Sequence, residues 1–530
     1  MNATTRNEQH ALDASEEDCN TSGNPSLNDI IDARLSRRNV LRVGMGSAGA
    51  ALLGTLSLSA CGGGSDGPAV DNALRLNFTP VAKSTADVVT VPTGYTATPI
   101  YALGDPLNAS TPAYKNDGTD TDFENRAGDH HDGMEYFGLN AAGTARDVAG
   151  SERGLLVMNH EALTDQFLHA GGVTPNPRPA AEADKEIPAH GVSVVEVRKV
   201  GGKFATQTTS AFNRRVTPLT PMQINGPARG NALMKTKYSP AGTDARGTIN
   251  NCGTGYTPWG TFLTGEENWA GYFRRGDDEA ARGGATSRAN VSLARNGRAK
   301  NSSSRHGWET AGTADKYARF DITQTGASTD GTDDYRNELN TFGYIVEMDP
   351  YDKNAAIRKR TALGRFVHES AAFGKLAAGK PLAAYMGDDN RGDYIYKFVS
   401  AANWDAADAN PANRITTGDK YLDNGKLYVA KFNADGTGQW IELNIANTAI
   451  ASFSTYRFAD QGDVLINARL AGDAVGATRM DRPEWTAVSP ISGEIYVALT
   501  NNANRKLEPV GSATSQQGVD AANPRTYNDA

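Results

Sequence analysis

Cysteine and excess positive charge are both scarce in this sequence. Its 530 residues include three cysteines, and 53 lysines and arginines stand against 61 acidic residues, which leaves a formal net charge of −8. An acidic chain without a basic stripe interleaved with aromatic residues does not have the composition of a nucleic-acid-binding protein. A protein of this charge that handles phosphate must do so locally, with metal ions and arginine. The hydrophobic share of 39% is sufficient for a large globular core.

Long amphipathic helix patterns are also missing between the strand-like runs, which argues against a βαβ fold. From about residue 90 onward the chain has short alternating or apolar runs bounded by turn residues, at 154–161, 192–204, 260–267, 343–350, 393–400, 426–444 and 493–502. With 56 glycines to supply turns, this pattern predicts an all-β fold, namely a β-propeller with long loop insertions; a sandwich is the less favoured alternative. No strict repeat period is visible, so the number of blades stays open.

Three parts are predicted along the chain. Residues 1–60 form a signal segment, residues 61–90 a flexible tether, and residues 91–530 the propeller domain. Within that domain, residues 275–335 are polar, rich in glycine, serine and arginine, and without apolar periodicity. This composition indicates an insertion whose arginines are surrounded by solvent, with contact to an anionic ligand as the alternative.

Two features mark the signal segment. Arg37 and Arg38 are adjacent in SRRNVL and precede a weakly apolar run over residues 43–60, which is typical of a twin-arginine signal; a transmembrane anchor is the alternative. The run ends in LSAC, where Cys61 matches the lipidated residue of a lipoprotein cleavage box, with a plain signal as the alternative. We therefore expect export by the twin-arginine machinery to the periplasm or cell surface, with membrane attachment only through lipid at Cys61.

The stretch NCGTGYTPWGTFLTGEEN, residues 251–268, contains a cysteine that lies far from the leader and the anchor. If Cys61 is acylated, Cys252 has no disulfide partner, and a lone exposed thiol is a liability in an oxidising compartment. Cys252 is therefore either a buried, inert residue, which is the commoner case for a cysteine taken alone, or a metal ligand. Export in the folded state suits a protein that receives its metal in the cytoplasm.

Histidines and carboxylates recur together at predicted strand ends. Five of the eight histidines lie in short motifs flanked by acids, such as His131 in HDGM, His160 in NHE and His368 in HES. Because strand ends from different blades of a propeller converge on one mouth, imidazoles, carboxylates and a thiolate gathered there would form a metal site. Each motif by itself is also consistent with a turn, a cap or an ion pair, and GDDNRGD most simply forms a hairpin turn.

The order of the motifs adds a resemblance to a known family. Along residues 90–528 the chain resembles the PhoX-type alkaline phosphatases, which are exported bacterial enzymes, in the succession HDGM, NHE, HGVS, GPARG, NCGTGYTPWGTFLTGEEN, GYIVEMDP, GRFVHES, YMGDDNRGDYIYKF, LYVAKF and RPEW. The resemblance implies a β-propeller whose mouth holds a mixed iron and calcium cluster. It also implies an enzyme that hydrolyses small phosphate monoesters.

Roles for particular residues follow from the same resemblance. Cys252, Glu369 and Glu484 would bind iron, and Arg482 would contact the substrate phosphate. Calcium ligands would come from the acidic positions Glu161, Glu266, Glu267, Asp388 and Asp389. Such a site needs no serine, threonine or cysteine nucleophile, and the sequence contains no convincing Ser-His-Asp set.

Two other functions remain open at this point. The same site would suit a phosphodiesterase or another metal-dependent hydrolase, and a calcium-stabilised propeller that binds ligands without turnover is a non-enzymatic alternative. Chains of the family continue well beyond the NPRTYN stretch at residues 523–528, so we expect this chain to be a fragment, an open ring or a ring that closes differently.

Overall fold

The computed structural model describes residues 79–506 and 518–524. The predicted twin-arginine segment, Cys61 and the first part of the predicted tether lie outside the described residues. The chain divides into two compact units, one up to Thr98 and one from Pro99 onward, and the described part of the first unit contains no helix or strand. Among the described residues, none of the helices combines the length and the apolar character that crossing a membrane requires.

The second unit consists mostly of β-strands joined by loops and short helices. The strands are β1 (His131–Gly138), β2 (Arg153–His160), β3 (Gly191–Val200), β4 (Lys203–Thr206), β5 (Arg214–Val216), β6 (Pro221–Asn225), β7 (Asp244–Arg246), β8 (Asn251–Tyr256), β9 (Phe262–Glu266), β10 (Ile345–Met348), β11 (Arg358–Arg360), β12 (Ala372–Phe373), β13 (Pro381–Gly387), β14 (Ile395–Asn403), β15 (Gly425–Phe432), β16 (Gly438–Glu442), β17 (Pro483–Val488) and β18 (Ile495–Leu499).

The α-helices have between four and ten residues each. They are α1 (Asp165–Leu168), α2 (Ala180–Ala189), α3 (Arg288–Arg295), α4 (Asp315–Ala318), α5 (Arg414–Leu422), α6 (Thr448–Ala451), α7 (Gln461–Ile466) and α8 (Ala468–Val475). Short 3₁₀ helices occupy Phe123–Asn125, Ala232–Met234, Trp269–Tyr272, Trp308–Thr310, Glu338–Thr341, Thr361–Leu363 and Ala406–Ala409. Helices of this length connect the strands and leave the sheets as the main architecture.

Four sheets account for these strands, and most neighbouring strands are antiparallel. The first sheet has the order β1-β2-β3-β4 with β5 paired to β3, and the second has the order β7-β6-β11-β10-β9-β8, in which β6 and β11 are parallel. The third runs from β12 to β16 in chain order, and the fourth is the hairpin β17-β18. The expectation of a fold made mostly of sheet is confirmed.

One edge strand of each sheet packs against an edge strand of another sheet. β1 packs against β8, β8 against β12, and β12 against β17. These four strands are far apart in the sequence, so their packing brings distant motifs to one place.

A hydrophobic core shared by the second and third sheets supports these edges. It includes Trp259, Leu263, Tyr396 and Phe398, each 1% exposed or less. In β14 the buried Tyr396 and Phe398 flank the partly exposed Lys397, which is the two-residue alternation of a strand with one buried face. The alternation in DYIYKFVS therefore sets which face of the third sheet meets the core.

The polar segment at residues 275–335 differs from what its composition suggests. Trp308 and Phe320 anchor it in a hydrophobic core. Several of its arginines are buried in ion pairs of 2.7 Å or less, namely Arg275–Asp278, Arg282–Asp278 and Arg319–Glu338. The expectation that solvent surrounds these arginines is therefore wrong. Carboxylates in and next to the segment supply the compensating charge, and this pairing cannot be seen from composition.

A buried ion pair holds the second sheet at its centre. Lys359 Nζ lies 2.7 Å from Glu266 Oε1, and both side chains are fully buried. The Glu266 carboxylate also accepts hydrogen bonds from Thr248 Oγ1 at 2.8 Å and from the backbone N–H of Gly343 at 2.9 Å. Every acceptor oxygen of this carboxylate is therefore satisfied within the protein.

Lys359→Met should destabilise the fold strongly, because it leaves the Glu266 carboxylate buried without its counter-charge. We expect a loss of ~3–5 kcal/mol in the free energy of unfolding, measured by chemical denaturation. The matched control is Lys199→Met, since Lys199 forms a surface pair with Glu152 at 3.1 Å, and it should cost less than ~1 kcal/mol. Equal losses in the two variants would contradict the assignment of Lys359 as a buried counter-charge.

Candidate metal centre

Three of the four edge strands begin in the same way. A non-glycine residue with a positive φ angle stands directly before each strand, and the second residue of the strand carries an acid or a thiol. The pairs are His130 (φ 40°) before Asp132, Asn250 (φ 50°) before Cys252 and Arg482 (φ 46°) before Glu484. Left-handed backbone is unfavourable for such residues and is retained where the surrounding structure requires it. Here the left-handed residues direct the first residues of β1, β8 and β17 toward one site.

Glycines at the site let the backbone segments come close together. A Cβ atom on Gly253 would lie 1.3 Å from the carbonyl oxygen of Glu369, and a Cβ atom on Gly387 would lie 2.3 Å from that of Glu484. Only glycine avoids these clashes. The glycines in NCGTG and YMGDD therefore place Glu369 beside Cys252, and Glu484 beside the acids that follow Gly387.

The Cys252 thiol lies at the centre of the acidic residues. Its Sγ atom is 2.9 Å from Asp132 Oδ2 and 3.0 Å from Glu369 Oε1. Potential ligand atoms of Asp132, Glu161 and Cys252 all lie within 4.8 Å of one another, and so do those of Cys252, Glu267 and Glu369. Two overlapping groups of three potential ligands thus share one sulfur.

A second set of acids extends the cluster toward β17. The carboxyl group of Glu267 interacts electrostatically with those of Glu161 and Asp389. Arg482 Nη2 lies 2.8 Å from Asp389 Oδ2 and 3.3 Å from Glu484 Oε1. Arg482 thus lies at the edge of the acids, and 29% of its side chain is accessible to solvent.

Burial and mutual repulsion make the charged forms of these groups unfavourable. Burial raises the pKa of Glu369 to about 8, and the charges on Asp389 and Glu484 add to the effect. Burial, followed by repulsion from Glu267 and Glu369, raises the pKa of the Cys252 thiol well above its usual value. The folded chain by itself therefore keeps Cys252 protonated, and a cation would be required to convert it to a thiolate.

Two buried acceptor atoms in the cluster make no hydrogen bond within the described residues. They are Glu369 Oε2 and Asp389 Oδ1. Buried polar atoms are almost always satisfied, by protein groups, by water or by ions. A thiol, several carboxylates and unfilled acceptor atoms together fit a site for metal ions.

Two pairs of adjacent acids divide their roles. In each pair the first carboxylate meets a buried cation and the second joins the cluster: Glu266 pairs with Lys359 before Glu267, and Asp388 pairs with Arg469 before Asp389. Adjacent residues of an extended chain point to opposite sides, which explains the division. The structure therefore does not bring Glu266 and Asp388, two of the predicted calcium ligands, to the cluster, whereas it brings the other predicted site residues together.

The histidines do not join the cluster either, contrary to the expectation of imidazole ligands. Within the described residues, neither group of potential ligands around Cys252 includes a histidine. His131 Nε2 contacts the Gly128 carbonyl oxygen at 3.1 Å, His160 Nε2 contacts Ser193 Oγ at 3.0 Å, and His368 Nε2 contacts the Gly364 carbonyl oxygen at 3.0 Å. These rings stabilise local structure, and burial lowers the pKa of each.

Asp132 is the cluster residue that sequence reasoning missed. The HDGM motif drew attention to its histidines, whereas the structure uses the acid that follows them, at 2.9 Å from the Cys252 sulfur. The signal was present, since Asp132 shares with Cys252 and Glu484 the second position of an edge strand. Recognising that signal requires knowing where each strand begins.

The comparison with known families decides the assignment. A sequence model described as "Alkaline phosphatase PhoX" matches residues 76–530. The chain belongs to the PhoX alkaline phosphatase family. The resemblance drawn from the motif order is thereby confirmed, and with it the prediction of an enzyme, a phosphoric monoester hydrolase of the PhoX type.

A solved structure agrees with this membership. Pseudomonas fluorescens PhoX in complex with vanadate, a transition state analogue, is 36% identical in sequence, with a TM-score of 0.71. The match covers 85% of this chain and 71% of the Pseudomonas chain. No curated protein sequence matches this chain significantly.

The raised pKa of Glu369 predicts how the stability of the metal-free protein depends on pH. The carboxyl binds a proton in the folded state up to pH about 8, whereas its usual pKa is 4.5. Stability should therefore fall as the pH rises from 4.5 toward 8, by an amount on the order of a few kcal/mol. Thermal denaturation in a chelating buffer measures this slope.

Glu369→Gln should reduce that slope by the contribution of one carboxyl group, because the neutral amide does not titrate. The control is Glu152→Gln, which changes a surface glutamate whose side chain is 71% exposed, and it should leave the slope unchanged. Stability that increases with pH across this range in the metal-free protein would show that the carboxyl is not protonated in the fold.

Proposed function

We propose that this protein is an exported, metal-dependent phosphatase that hydrolyses phosphate monoesters at a mixed iron and calcium site in the mouth of a β-propeller. The observation that carries the proposal is the Cys252 thiol, with its sulfur within 3.0 Å of two carboxylates. A buried thiolate among carboxylates is unfavourable without a cation.

The propeller is supported by the arrangement of the edge strands. β1, β8, β12 and β17 each belong to a different sheet and pack side by side in that order. In a propeller, each blade contributes one such strand to the wall around the axis. The beginnings of three of these strands carry Asp132, Cys252 and Glu484, which agrees with ligands converging on an axial mouth.

The donor set suits the two metals in different ways. Cys252 supplies a soft thiolate, which favours iron over calcium, and Glu369 and Glu484 are the carboxylates proposed to share that metal. Glu161, Glu267, Asp389 and the added Asp132 offer the hard oxygen atoms that calcium prefers. Metal ions held here would neutralise phosphate charge and lower the pKa of an attacking water.

Arg482 is proposed to hold the substrate phosphate. Its planar guanidinium can donate to two phosphate oxygens, and Asp389 and Glu484 fix its position through contacts of 2.8 and 3.3 Å. Because a phosphate would compete with these carboxylates for the same donors, metal binding by the carboxylates would free the guanidinium for substrate. The complex of the Pseudomonas relative with vanadate, a transition state analogue, supports the proposal of phosphate chemistry.

Export is proposed from the sequence of the leader, which lies outside the described residues. Arg37, Arg38 and Cys61 are the residues concerned. Twin-arginine transport of a folded chain followed by lipid attachment would place the enzyme in the periplasm or at the cell surface. Cell fractionation of a Cys61→Ser variant tests the anchor, since the variant should move from the membrane fraction to the soluble fraction.

The proposed activity is tested by turnover of p-nitrophenyl phosphate with and without calcium, together with elemental analysis for iron. We expect turnover that requires calcium and iron that copurifies with the protein. Turnover of bis-p-nitrophenyl phosphate but not of the monoester would establish a phosphodiesterase instead. If neither ester is cleaved while calcium still raises the melting temperature, the protein is a non-catalytic calcium-binding scaffold.

Cys252→Ala should remove iron and reduce activity to background while the protein stays folded. The physical reason is that Cys252 provides the only sulfur ligand among the described residues of the cluster. Elemental analysis, kcat and circular dichroism are measured on the same preparation. Full iron content with an unchanged rate would show that another group binds the iron.

Arg482→Ala should lower kcat/KM for phosphate monoesters by about 10²-fold or more, because it removes a charge-assisted donor to the phosphate. Arg482→Lys should recover part of the loss by keeping the charge without the planar fork. Metal content should remain at the wild-type level in both variants. Unchanged kinetics in Arg482→Ala would exclude a role in substrate binding.

A further inference from the structure

Arg305 is an exposed arginine held on a fixed backbone. Its N–H donates to the Gly271 carbonyl oxygen at 2.8 Å, and the neighbouring His306 ring stacks on Trp308 with centroids 4.9 Å apart. The guanidinium carbon lies 5.1 Å from the centre of the Tyr272 ring, which suits a cation–π contact. Within the described residues, Arg305 forms no ion pair, in contrast to the buried arginines of the same segment.

A short chain of contacts links Arg305 to the metal centre. Arg305 Nη1 lies 3.4 Å from the Tyr272 hydroxyl, which accepts a hydrogen bond from Asn250 Nδ2 at 3.2 Å. The same amide group lies 3.1 Å from the carbonyl oxygen of Glu161. Asn250 is also the left-handed residue that precedes the strand of Cys252. Arg305 is thus two side chains away from a residue of the cluster.

The positive charge of Arg305 lies close to an acid of the cluster, Glu161. Only the Tyr272 and Asn250 side chains separate its guanidinium from Glu161. Because this guanidinium forms no ion pair within the described residues, it supplies positive potential beside the site. Arg482 differs, since it already contacts Asp389 and Glu484. The two arginines belong to different parts of the chain, with Arg305 on the residue 275–335 segment and Arg482 directly before β17.

We infer that Arg305 is a specificity-determining residue that binds a second anionic group, on the leaving-group side of the substrate. This inference rests on the proposed phosphatase function and adds a substrate class to it. The class is phosphate monoesters whose leaving alcohol carries a carboxylate or a further phosphate. The phosphoryl group would lie at Arg482 and the metals, and the second anion would reach the free guanidinium of Arg305. A charge-assisted hydrogen bond at a partly exposed site is expected to favour such esters by about five- to tenfold.

The test compares an anionic ligand with a neutral ligand of the same shape. Calorimetry measures the Kd of 4-carboxybenzylphosphonate and of 4-carbamoylbenzylphosphonate for the metal-loaded full chain. The kcat/KM values are measured in parallel for 4-carboxyphenyl phosphate and 4-carbamoylphenyl phosphate. We expect the wild type to favour the carboxylate about five- to tenfold in both measurements. Arg305→Ala should abolish the preference, and Arg305→Lys should keep part of it.

The neutral ligand serves as the internal reference. Arg305→Ala should change its binding and turnover by less than about twofold, since a neutral group offers no charge to the guanidinium. Arg274→Ala is the matched control, because Arg274 is in contact with Asp321 at the surface near the same segment, and this variant should keep the preference.

Several outcomes would overturn the inference. They are a wild type without preference, a phosphonate pair that does not bind, and an Arg305→Ala variant that weakens both ligands equally. The last result would show that Arg305 acts on the acids of the site and not on the leaving group. If no ester is cleaved but binding still shows a preference that depends on Arg305, the phosphatase proposal fails while the anion site stands.

Discussion

The crowding of carboxylates around a single sulfur atom is the constraint on which the rest of this structure depends. Asp132, Glu161, Glu267 and Glu369 all place an oxygen atom near Cys252. Burial and repulsion raise the pKa of the Cys252 thiol and of Glu369, so the isolated chain retains protons there. A multivalent cation would replace those protons and convert mutual repulsion into shared attraction. The repulsion among the acids of the site is therefore the physical reason for proposing metal ions there.

The scaffold keeps these groups together against their repulsion. Four edge strands from four sheets pack side by side, and their glycines allow backbones to approach where a Cβ atom would clash. Buried cations lie behind the cluster, with Lys359 on Glu266 and Arg469 on Asp388. The residue that follows each of these paired acids then enters the cluster. The buried ion pairs of Glu266 and Asp388 thus fix the backbone of the two segments. The neighbouring residues Glu267 and Asp389 are held in the acidic cluster as a result.

Part of the site could be predicted from the sequence. Cys252 was recognisable because the folded body has no second cysteine to pair with it, and the ordered motifs supplied Glu369, Glu484 and Arg482. Glu266 could not be separated from Glu267, nor Asp388 from Asp389, because which residue of an adjacent pair faces the site depends on the register of the strand. The histidines were misleading, since an imidazole beside an acid is equally useful for binding a backbone carbonyl.

By itself, the sequence determined that this chain folds mostly as short strands, that it belongs to the PhoX alkaline phosphatase family, and that its lone thiol needs an explanation. Strand periodicity and motif order are local properties, so they survive in the sequence. The tertiary structure alone decided which acids surround the thiol, that Asp132 is among them, and that arginines of residues 275–335 are buried in ion pairs. Those outcomes depend on contacts between residues up to 120 positions apart, or on charge pairing that composition does not reveal. Only the packed sheets bring such groups together.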